Sequence, residues 1–404
     1  MNIQHLNPIF RDIENAGGRA FIVGGAVRDE ILGFPAKDVD IEVFRLWPDE
    51  LQRILENHGT VDAVGKSFGV LKLGNLDFTL PRTERRKQGM VDNAHTDFDV
   101  DVNPHLSFED ACKRRDLTIN AIMFDPIEKK IVDPLGGRED LARRVMQPCS
   151  ERFAEDPLRV LRAMQFAGRF DLTASNDLIF LSKKIAHEFQ HLSSERIQGE
   201  WEKWAMKSVK PSSGLVFLYQ SGWAKHFPGL NDIVKSGTVE SLCNRLDDIF
   251  PSLSNFDKVD RLTIIFSIIS QYIGNFMKSE LFFDSVHLRH DVWDKVDRIT
   301  VVSNRYTENQ LVDHRESCLK AAEDLHPASM RLFSTVMENE ELFDRSVIYN
   351  CSDAPQPKLV QGKDLLELGW EPGPVIGKLL DLLYDVQLSG NYTKESLLKK
   401  VLQK

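Results

Sequence analysis

The segment Phe21–Val43, FIVGGAVRDEILGFPAKDVDIEV, constrains this chain more than any other. Its apolar opening, Phe21-Ile22-Val23, reads as a buried strand that stops at Gly24-Gly25. Arg28 and Asp29 open an amphipathic turn beyond it, and a second strand carries Asp38-Val39-Asp40. Side chains alternate across a strand, so Asp38 and Asp40 share a face. Two carboxylates on one rigid face repel unless a cation lies between them. An oxygen cage of that kind suits Mg²⁺, which bridges nucleotide phosphates in two-metal chemistry. The glycine pair lets backbone approach a polyanion, with exposed N–H groups and Arg28 to meet it. Taken singly, a DxD is usually an exposed strand edge and Gly-Gly only a turn. Linked in one short unit, they point to nucleotidyl transfer. Neither a GxxxxGK[ST] loop nor a GxGxxG fingerprint is present, which sets aside P-loop and dinucleotide-binding readings.

With 404 residues the chain has room for two or three domains with substantial cores. Its 42% hydrophobic and 28% charged content is that of a soluble globular protein. No apolar run approaches the roughly eighteen residues a membrane span needs, and the amphipathic N-terminus, with Arg11, Asp12 and Glu14, is no signal peptide. Five scattered cysteines without a CxxC pair read as reduced, incidental thiols of a cytoplasmic protein. A net charge of −10 argues against a nucleic-acid partner only globally, because binding follows local patches. Such patches occur at Arg82–Lys87, Lys113–Arg115 and Arg143-Arg144. Lys183-Lys184 reads as a solvated face.

From Phe21 to about Val145, short β-like runs (Val39–Phe44, Gly69–Leu73, Leu76–Leu80, Ile119–Phe124) mix with helices such as Glu50–Asn57. The expectation is an α+β class: a mixed or antiparallel sheet with helices, then an all-helical remainder from Phe153 onward. Breaks are expected at Lys210–Gly214, Pro251–Asn255 and Asp353–Pro357. The polar stretch Thr83–Ala111, with Gly89 and Pro104, reads as a long, mobile, functional insertion carrying a transient strand at Phe98–Val102. Residues 231–350 show helical packing patterns at Leu262, Phe266, Trp293, Met330 and Leu332.

Two further motifs carry chemistry. Arg114-Arg115-Asp116-Leu117-Thr118-Ile119-Asn120-Ala121 sets arginine forks, which match phosphate oxygens, beside a carboxylate and an amide. Asp116 and Asn120 either read ribose hydroxyls or orient the arginines; alone, the motif also reads as a surface cluster. In Glu155-Asp156-Pro157-Leu158-Arg159-Val160-Leu161-Arg162, Pro157 suits a first helical turn and Asp156 an N-cap. Read alone, this is a capped helix with a basic stripe, since Arg159 and Arg162 share a face. The other reading makes Asp156 and Arg159 a template for a base edge. A carboxylate accepts from the amine of cytosine or adenine, a guanidinium donates to the adjacent ring nitrogen, and G and U present the opposite pattern. Asp133–Leu141, DPLGGREDL, reads as a turn-rich connector.

In this order the segments resemble the class II tRNA nucleotidyltransferases, the CCA-adding enzymes, which share a superfamily with bacterial poly(A) polymerases. The matching elements are GGAVRD and DVD (24–29, 38–40), RRDLTINA (114–121), DPLGGREDL (133–141), EDPLRVLR (155–162) and SSERIQGE (193–200), with weaker likeness at 214–230 and 360–380. The resemblance implies a nucleotidyltransferase palm, or head, at 1–147 with a flexible loop at 83–111. A helical neck at 148–208, a body at 209–352 and a tRNA-binding tail at 353–404 would follow. It implies that Asp38 and Asp40 are catalytic and hold Mg²⁺. It also implies nucleotide contacts by Gly25, Arg28, Arg115, Asp156, Arg159 and Arg162, and Asp116 and Asn120 join them as nucleotide-site candidates on the reading of their motif given above. The implied activity is template-independent addition of CCA to tRNA 3′ ends from CTP and ATP, with release of pyrophosphate. No membrane partner is implied, and the oligomeric state stays open.

Some positions depart from the family pattern. Asp260–Tyr272 lacks the His-Asp pair of an appended phosphohydrolase, and His290-Asp291 reads as a helical surface pair. Gly65–Gly69 resembles the tRNA nucleotidyltransferase version of its strand rather than the basic poly(A) polymerase version. Asp77 is a candidate third carboxylate, and Pro81 breaks the usual anchor of the loop. Rival readings are a CC-adding or A-adding enzyme of a split pathway, a poly(A) polymerase, and a catalytically silent tRNA-binding protein.

Overall fold

The computed structural model describes residues 3–35, 39–86 and 98–402. Contacts group the chain into two compact units, Met1–Asn231 with Cys243–Pro251, and Asp232–Leu242 with Ser252–Lys404. The head, neck, body and tail division expected from the sequence is finer than this.

The first unit opens with α1 (Asn7–Asn15), β1 (Arg19–Val23), α2 (Gly25–Ile31), β2 (Asp40–Phe44) and α3 (Pro48–Glu56). There follow β3 (Val61–Asp62), β4 (Val70–Leu73), β5 (Leu76–Thr79), β6 (Arg82–Arg86), β7 (Phe98–Val102) and α4 (Phe108–Lys113). Next come β8 (Met123–Asp125), β9 (Lys130–Val132), α5 (Gly137–Ala142) and β10 (Val145–Met146). Last are α6 (Leu158–Phe170), β11 (Thr173–Ala174), α7 (Asn176–Lys184), α8 (Ser194–Lys207) and α9 (Pro211–Gln220).

Seven strands form a sheet in the order β3-β4-β5-β2-β1-β8-β9. β2 runs parallel to β5, and the other neighbours are antiparallel. Strand alternation then sorts the side chains. Ala20, Ile22, Ile41, Val43, Leu71 and Phe78 turn to one face, where they pack on Ile9, Phe10 and Ile13 of α1 and on Leu51 and Leu55 of α3. Pro8 in the first turn of α1, and the Trp47 N–H donating to Glu50 at the start of α3, fix where those helices begin. On the opposite face Phe21, Val23, Phe44 and Met123 meet Ala111, Cys112 and Ala121. That second face also carries the polar positions of β2, Asp40 and Glu42.

α6 packs against α8 and α9. The approach is close at Gly168, where a Cβ would lie 3.0 Å from Cδ1 of Trp204; a larger residue would push α6 and α8 apart. Lys210–Gly214 is no linker: Pro211 starts α9, and Ser212 donates through both N–H and hydroxyl to Asp247. Pro251–Asn255 lies in a 3₁₀ turn, and Asp353–Pro357 holds no helix or strand.

The insertion at 83–111 is more ordered at its ends than expected. β6 pairs antiparallel with β7 from Arg82↔Val102 to Arg86↔Phe98, and α4 closes the segment, capped by Ser107. Its middle lies outside the described residues. Ile119–Phe124 is likewise not one strand but a 3₁₀ turn, Thr118–Asn120, followed by β8.

In the second unit the helices include Lys258–Ile273, His290–Arg305, Arg315–Leu325, Met330–Met337 and Glu340–Ile348, and the chain ends with Gly362–Glu367, Pro374–Leu388 and Lys394–Leu402. Leu262, Phe266, Met330 and Leu332 are buried as their spacing required, while Trp293 is half-buried. Val360, Leu365, Leu383, Leu397 and Val401 form a small core at the C-terminal end.

Candidate active site

A cleft of about 570 Å³ opens in the first unit. Gly24, Gly25, Arg28 and Asp40 line it from the sheet, Arg115, Asp116 and Asn120 from the segment after α4, and Asp156, Arg159 and Arg162 from the start of α6. The sequence-predicted residues thus converge, apart from Asp38, which lies outside the described residues.

The turn after β1 is built for close approach. Gly24 has a φ of +72°, and a Cβ there would sit 3.3 Å from Nη1 of Arg115 and 3.9 Å from Oδ2 of Asp40. A side chain would therefore be strained and would fill the space between a cation and a carboxylate. The helix α2 that follows buries Arg28. Its Nε and Nη2 donate to Asp29 at 2.9 and 2.6 Å, and its Nη1 donates to Asn120. The guanidinium also lies over the rings of Phe166 and Phe170, 5.0 and 4.5 Å from their centroids. Burial lowers the Arg28 pKa, and Asp29 partly offsets that.

Asp116 is the hub of the next layer. It accepts from the Leu117 N–H at 2.8 Å, from Asn120 Nδ2 at 2.9 Å and from Arg162 Nε at 2.9 Å. Burial pushes its carboxyl up, but Arg162 and these hydrogen bonds outweigh burial and hold it below the ordinary range. Of the two roles open to Asp116 and Asn120 in the sequence, these contacts supply the second: they orient Arg162 and Arg28.

Sequence reading missed the carboxylate beneath this layer. Glu42 is fully buried and accepts from Arg114 at 2.6 Å and Arg115 at 3.0 Å. Burial alone would raise its pKa; the two guanidiniums lower it below the usual carboxylate value. The signal was present, since Glu42 follows Asp38 and Asp40 at the same two-residue spacing. Arg169 and Arg196 were missed too. Arg169 donates to Asp29 at 3.0 Å, and Arg196, from α8, donates to Asp156 at 2.8 Å. Arg196 belongs to the SSERIQGE motif, so the motif had been noticed without its partner.

At the start of α6 the helix begins at Leu158 with Pro157 as N-cap. Asp156 stands one residue earlier than a cap, yet its Oδ1 accepts the Leu158 N–H at 3.0 Å. Two of its lone-pair positions remain, because a carboxylate offers about four. Arg159 is held by backbone carbonyls, donating to those of Arg152 at 2.6 Å and Arg114 at 2.7 Å. Three of its five N–H groups are left over. Asp156 and Arg159 are thus fixed in direction while keeping capacity on their open sides.

In the parallel pairing of β2 with β5, Asp40 stands opposite Asp77, so both carboxylates leave the same face. Asp77 also pairs with Lys72 at 3.1 Å. Oxygen donors of this kind suit a hard divalent cation. Among the described residues no three His, Cys, Asp or Glu side chains gather as a ligand cluster, and Asp38, the other expected ligand, is not among them.

Comparison with known proteins bears on this geometry. Residues 20–147 match the Poly A polymerase head domain. The head thus holds the glycine turn, Arg28, Asp40, Glu42 and the RRDLTINA segment. Among curated relatives, the chain is 40% identical over 200 residues to the multifunctional CCA protein of Aromatoleum aromaticum, covering 48% of this chain and 46% of that protein. It is 32% identical over 265 residues to the CCA-adding enzyme of Blochmanniella pennsylvanica, covering 63% and 62%. The chain spans about half the length of most curated relatives it matches. Among solved structures, the Bacillus stearothermophilus CCA-adding enzyme in complex with CTP superposes with a TM-score of 0.71 at 25% identity, covering 99% of this chain and 98% of that one. The α+β head followed by helices is therefore the fold of the CCA-adding enzymes, as the motif order implied. No described helix is long and apolar enough to cross a membrane.

Proposed function

We propose that this chain is a tRNA nucleotidyltransferase that adds CCA to tRNA 3′ ends from CTP and ATP, without a nucleic-acid template, in the cytoplasm. The observation that carries this reading is the cleft itself. Asp40, the Gly24-Gly25 turn and Arg28 stand at one side, and a fixed carboxylate–guanidinium pair, Asp156 and Arg159, stands at the other. A nucleoside triphosphate needs both: cations and backbone N–H groups for its phosphates, and a donor–acceptor pair for its base.

In this mechanism Asp156 accepts from the amine of cytosine or adenine, and Arg159 donates to the neighbouring ring nitrogen. Uracil and guanine meet acceptor against acceptor and donor against donor there, and the pairing is lost. Arg28, Arg115 and Arg162 bind phosphate oxygens, with Asn120 and Asp116 keeping Arg28 and Arg162 in place. The tRNA 3′-hydroxyl attacks the α-phosphorus, the new phosphodiester forms, and the bond to pyrophosphate breaks. Mg²⁺ held by Asp38 and Asp40, with Asp77 opposite Asp40, would supply a more acidic 3′-hydroxyl and charge neutralisation for the leaving pyrophosphate. Positioning and charge then account for catalysis, and no side-chain base is required.

The test is nucleotide incorporation with Mg²⁺ on three tRNA transcripts, ending before CCA, after C and after CC, each given CTP, ATP or both. Completion of all three to one defined CCA end supports the proposal. Arrest at CC, or activity on the CC-ended transcript alone, assigns the chain to a split pathway. Open-ended A tails make it a poly(A) polymerase. Binding of tRNA without incorporation leaves a silent binding protein.

A further inference from the structure

The second unit buries two thiols against each other. Cys318 lies in the first turn of the helix Arg315–Leu325, and Cys351 follows the end of the helix Glu340–Ile348. Both are buried, 33 residues apart in the chain, with their sulfurs 4.0 Å apart. Hydrogen bonding with Cys318 and the charge of Arg315 lower the Cys351 thiol against the effect of burial, while Cys318 is raised. Cysteines of the first unit differ. Cys112 donates to Ala121 O at 3.2 Å, and burial pushes its thiol up to about 12 and that of Cys149 well above the ordinary value, which makes both inert.

The pair stands at the root of the C-terminal segment. Next to Cys351, the Ser352 carbonyl accepts from the Arg331 N–H at 2.9 Å. Gln356 then donates to Tyr349 O at 2.6 Å and accepts at its own carbonyl from the Tyr384 hydroxyl at 2.7 Å. Arg315, three residues before Cys318, donates to the carbonyls of Leu388 and Gly390 at 3.0 and 3.3 Å. A cleft of about 380 Å³ has Arg315 and Asn350 in its wall, so it comes within one residue of Cys351 and gives a small neutral oxidant a way in. We propose that Cys318 and Cys351 are a peroxide-sensitive clasp, a reversible disulfide that ties the root of the C-terminal segment to the helix Arg315–Leu325.

The Cys351 sulfur attacks one oxygen of hydrogen peroxide, the O–O bond breaks, and the leaving hydroxide takes the thiol proton, giving water and a sulfenic acid. The Cys318 sulfur then attacks that sulfur, the S–OH bond breaks, and the second water leaves with the Cys318 proton. Two thiols give up two electrons and two protons, and peroxide is reduced to two waters. Bonded sulfurs stand about 2.05 Å apart, so the pair closes by about 2 Å through side-chain rotation.

This inference does not rest on the nucleotidyltransferase reading. The test treats reduced full-length protein with hydrogen peroxide in native buffer, alkylates the remaining thiols in denaturant, and digests with trypsin without reduction. Peptides 316–320 and 346–358 should appear linked, with Cys112, Cys149 and Cys243 still alkylated, and dithiothreitol should reverse the link. Native tryptic nicking after the exposed Lys358 should slow about tenfold in the oxidised protein, because the link opposes local opening. Cys318→Ser should abolish both the link and the slowing, and should leave added oxygen on Cys351. If Cys318→Ser fails to fold, wild type with and without dithiothreitol still decides. A link that forms only in urea would overturn the proposal, as would equal oxidation of the other three cysteines or nicking that the link leaves unchanged.

Discussion

The two units bury polar groups in different ways. In the first, the buried set includes ionisable side chains, Arg28, Glu42, Asp116, Asp125, Asp140 and Glu200, and two of these, Arg28 and Asp116, line one cleft. In the second, the buried polar residues are mostly hydroxyls, among them Thr263, Ser267, Ser270, Ser279, Ser334 and Ser346. Three of these bond back to their own helices, Thr263 to Val259 O at 2.9 Å, Ser334 to Arg331 O at 3.1 Å and Ser346 to Phe343 O at 2.6 Å, while Ser270 donates to the Ser279 hydroxyl. A hydroxyl that satisfies itself locally asks little of the fold. A buried carboxylate must be given cations, and the cations then have fixed directions. The first arrangement makes a site; the second makes a scaffold.

The largest effect that separates them should come from Asp40. Asp40→Ala should lower CMP incorporation by at least about a thousandfold, the scale of losing a metal ligand in phosphoryl transfer, while tRNA binding by filter retention stays near wild type. Turnover within about tenfold of wild type would remove Asp40 from the chemistry.

Next comes Glu42, which tests whether the buried charges are structural supports. Glu42→Ala leaves Arg114 and Arg115 without their shared acceptor and should cost the first unit about 3–5 kcal/mol in urea denaturation. The pH sign follows from the lowered pKa values of Glu42 and Asp116. Each contributes stability that is complete above the ordinary carboxylate pKa and lost as pH falls through the lower folded value. The unfolding midpoint of the first unit should therefore hold from neutrality down to about pH 5 and fall below it. Glu42→Gln should fall less steeply with acid. A midpoint as steep in Glu42→Gln as in wild type would show that Glu42 is not the titrating support.

Asp156 should have a narrower effect. Asp156→Ala removes the partner of Arg196 and, on the proposed reading, the acceptor for the base amine. The preference for CTP over UTP in incorporation should drop by about a hundredfold, the scale of losing a designed hydrogen-bond partner. Selectivity preserved in that variant would place base reading elsewhere.

How far these features could be read from the sequence follows the same division. The glycine turn, the strand entered at Asp40 and, to within one residue, the start of α6 were legible because local rules set them: period-two alternation, a proline at a helix start, arginines three apart. The order of the motifs carried the fold. Glu42 was not legible as a buried support, since nothing local announces that Arg114 and Arg115, about seventy residues on, will close over it. Arg196 needed the same kind of long-range contact. Lys210–Gly214 was misread because Pro-Ser-Ser-Gly is loop-like in composition, yet proline in a first turn and Asp247 as acceptor make it a helix start. In 83–111, polar composition hid the partner of the expected Phe98–Val102 strand, which is β6 at Arg82–Arg86.

The smallest effect sharpens the comparison from the scaffold side. Ser267 is 1% exposed, its Oγ has no partner, and it sits among Ile264, Ile265, Phe266, Ile268 and Ile269, all buried. Its Oγ is therefore an unsatisfied buried polar atom. If such an atom were by itself a mark of function, Ser267→Ala should impair incorporation. On the present argument an orphan marks function only where a ligand supplies its partner, and nothing around Ser267, where the side chains are apolar, could do so. Ser267→Ala should then be silent in incorporation and should leave stability unchanged or raise it by up to about 1 kcal/mol, because it removes a desolvated hydroxyl at the expense of one small atom. A measurable loss of stability would mean that the hydroxyl is satisfied after all, and the contrast between the two units would narrow accordingly.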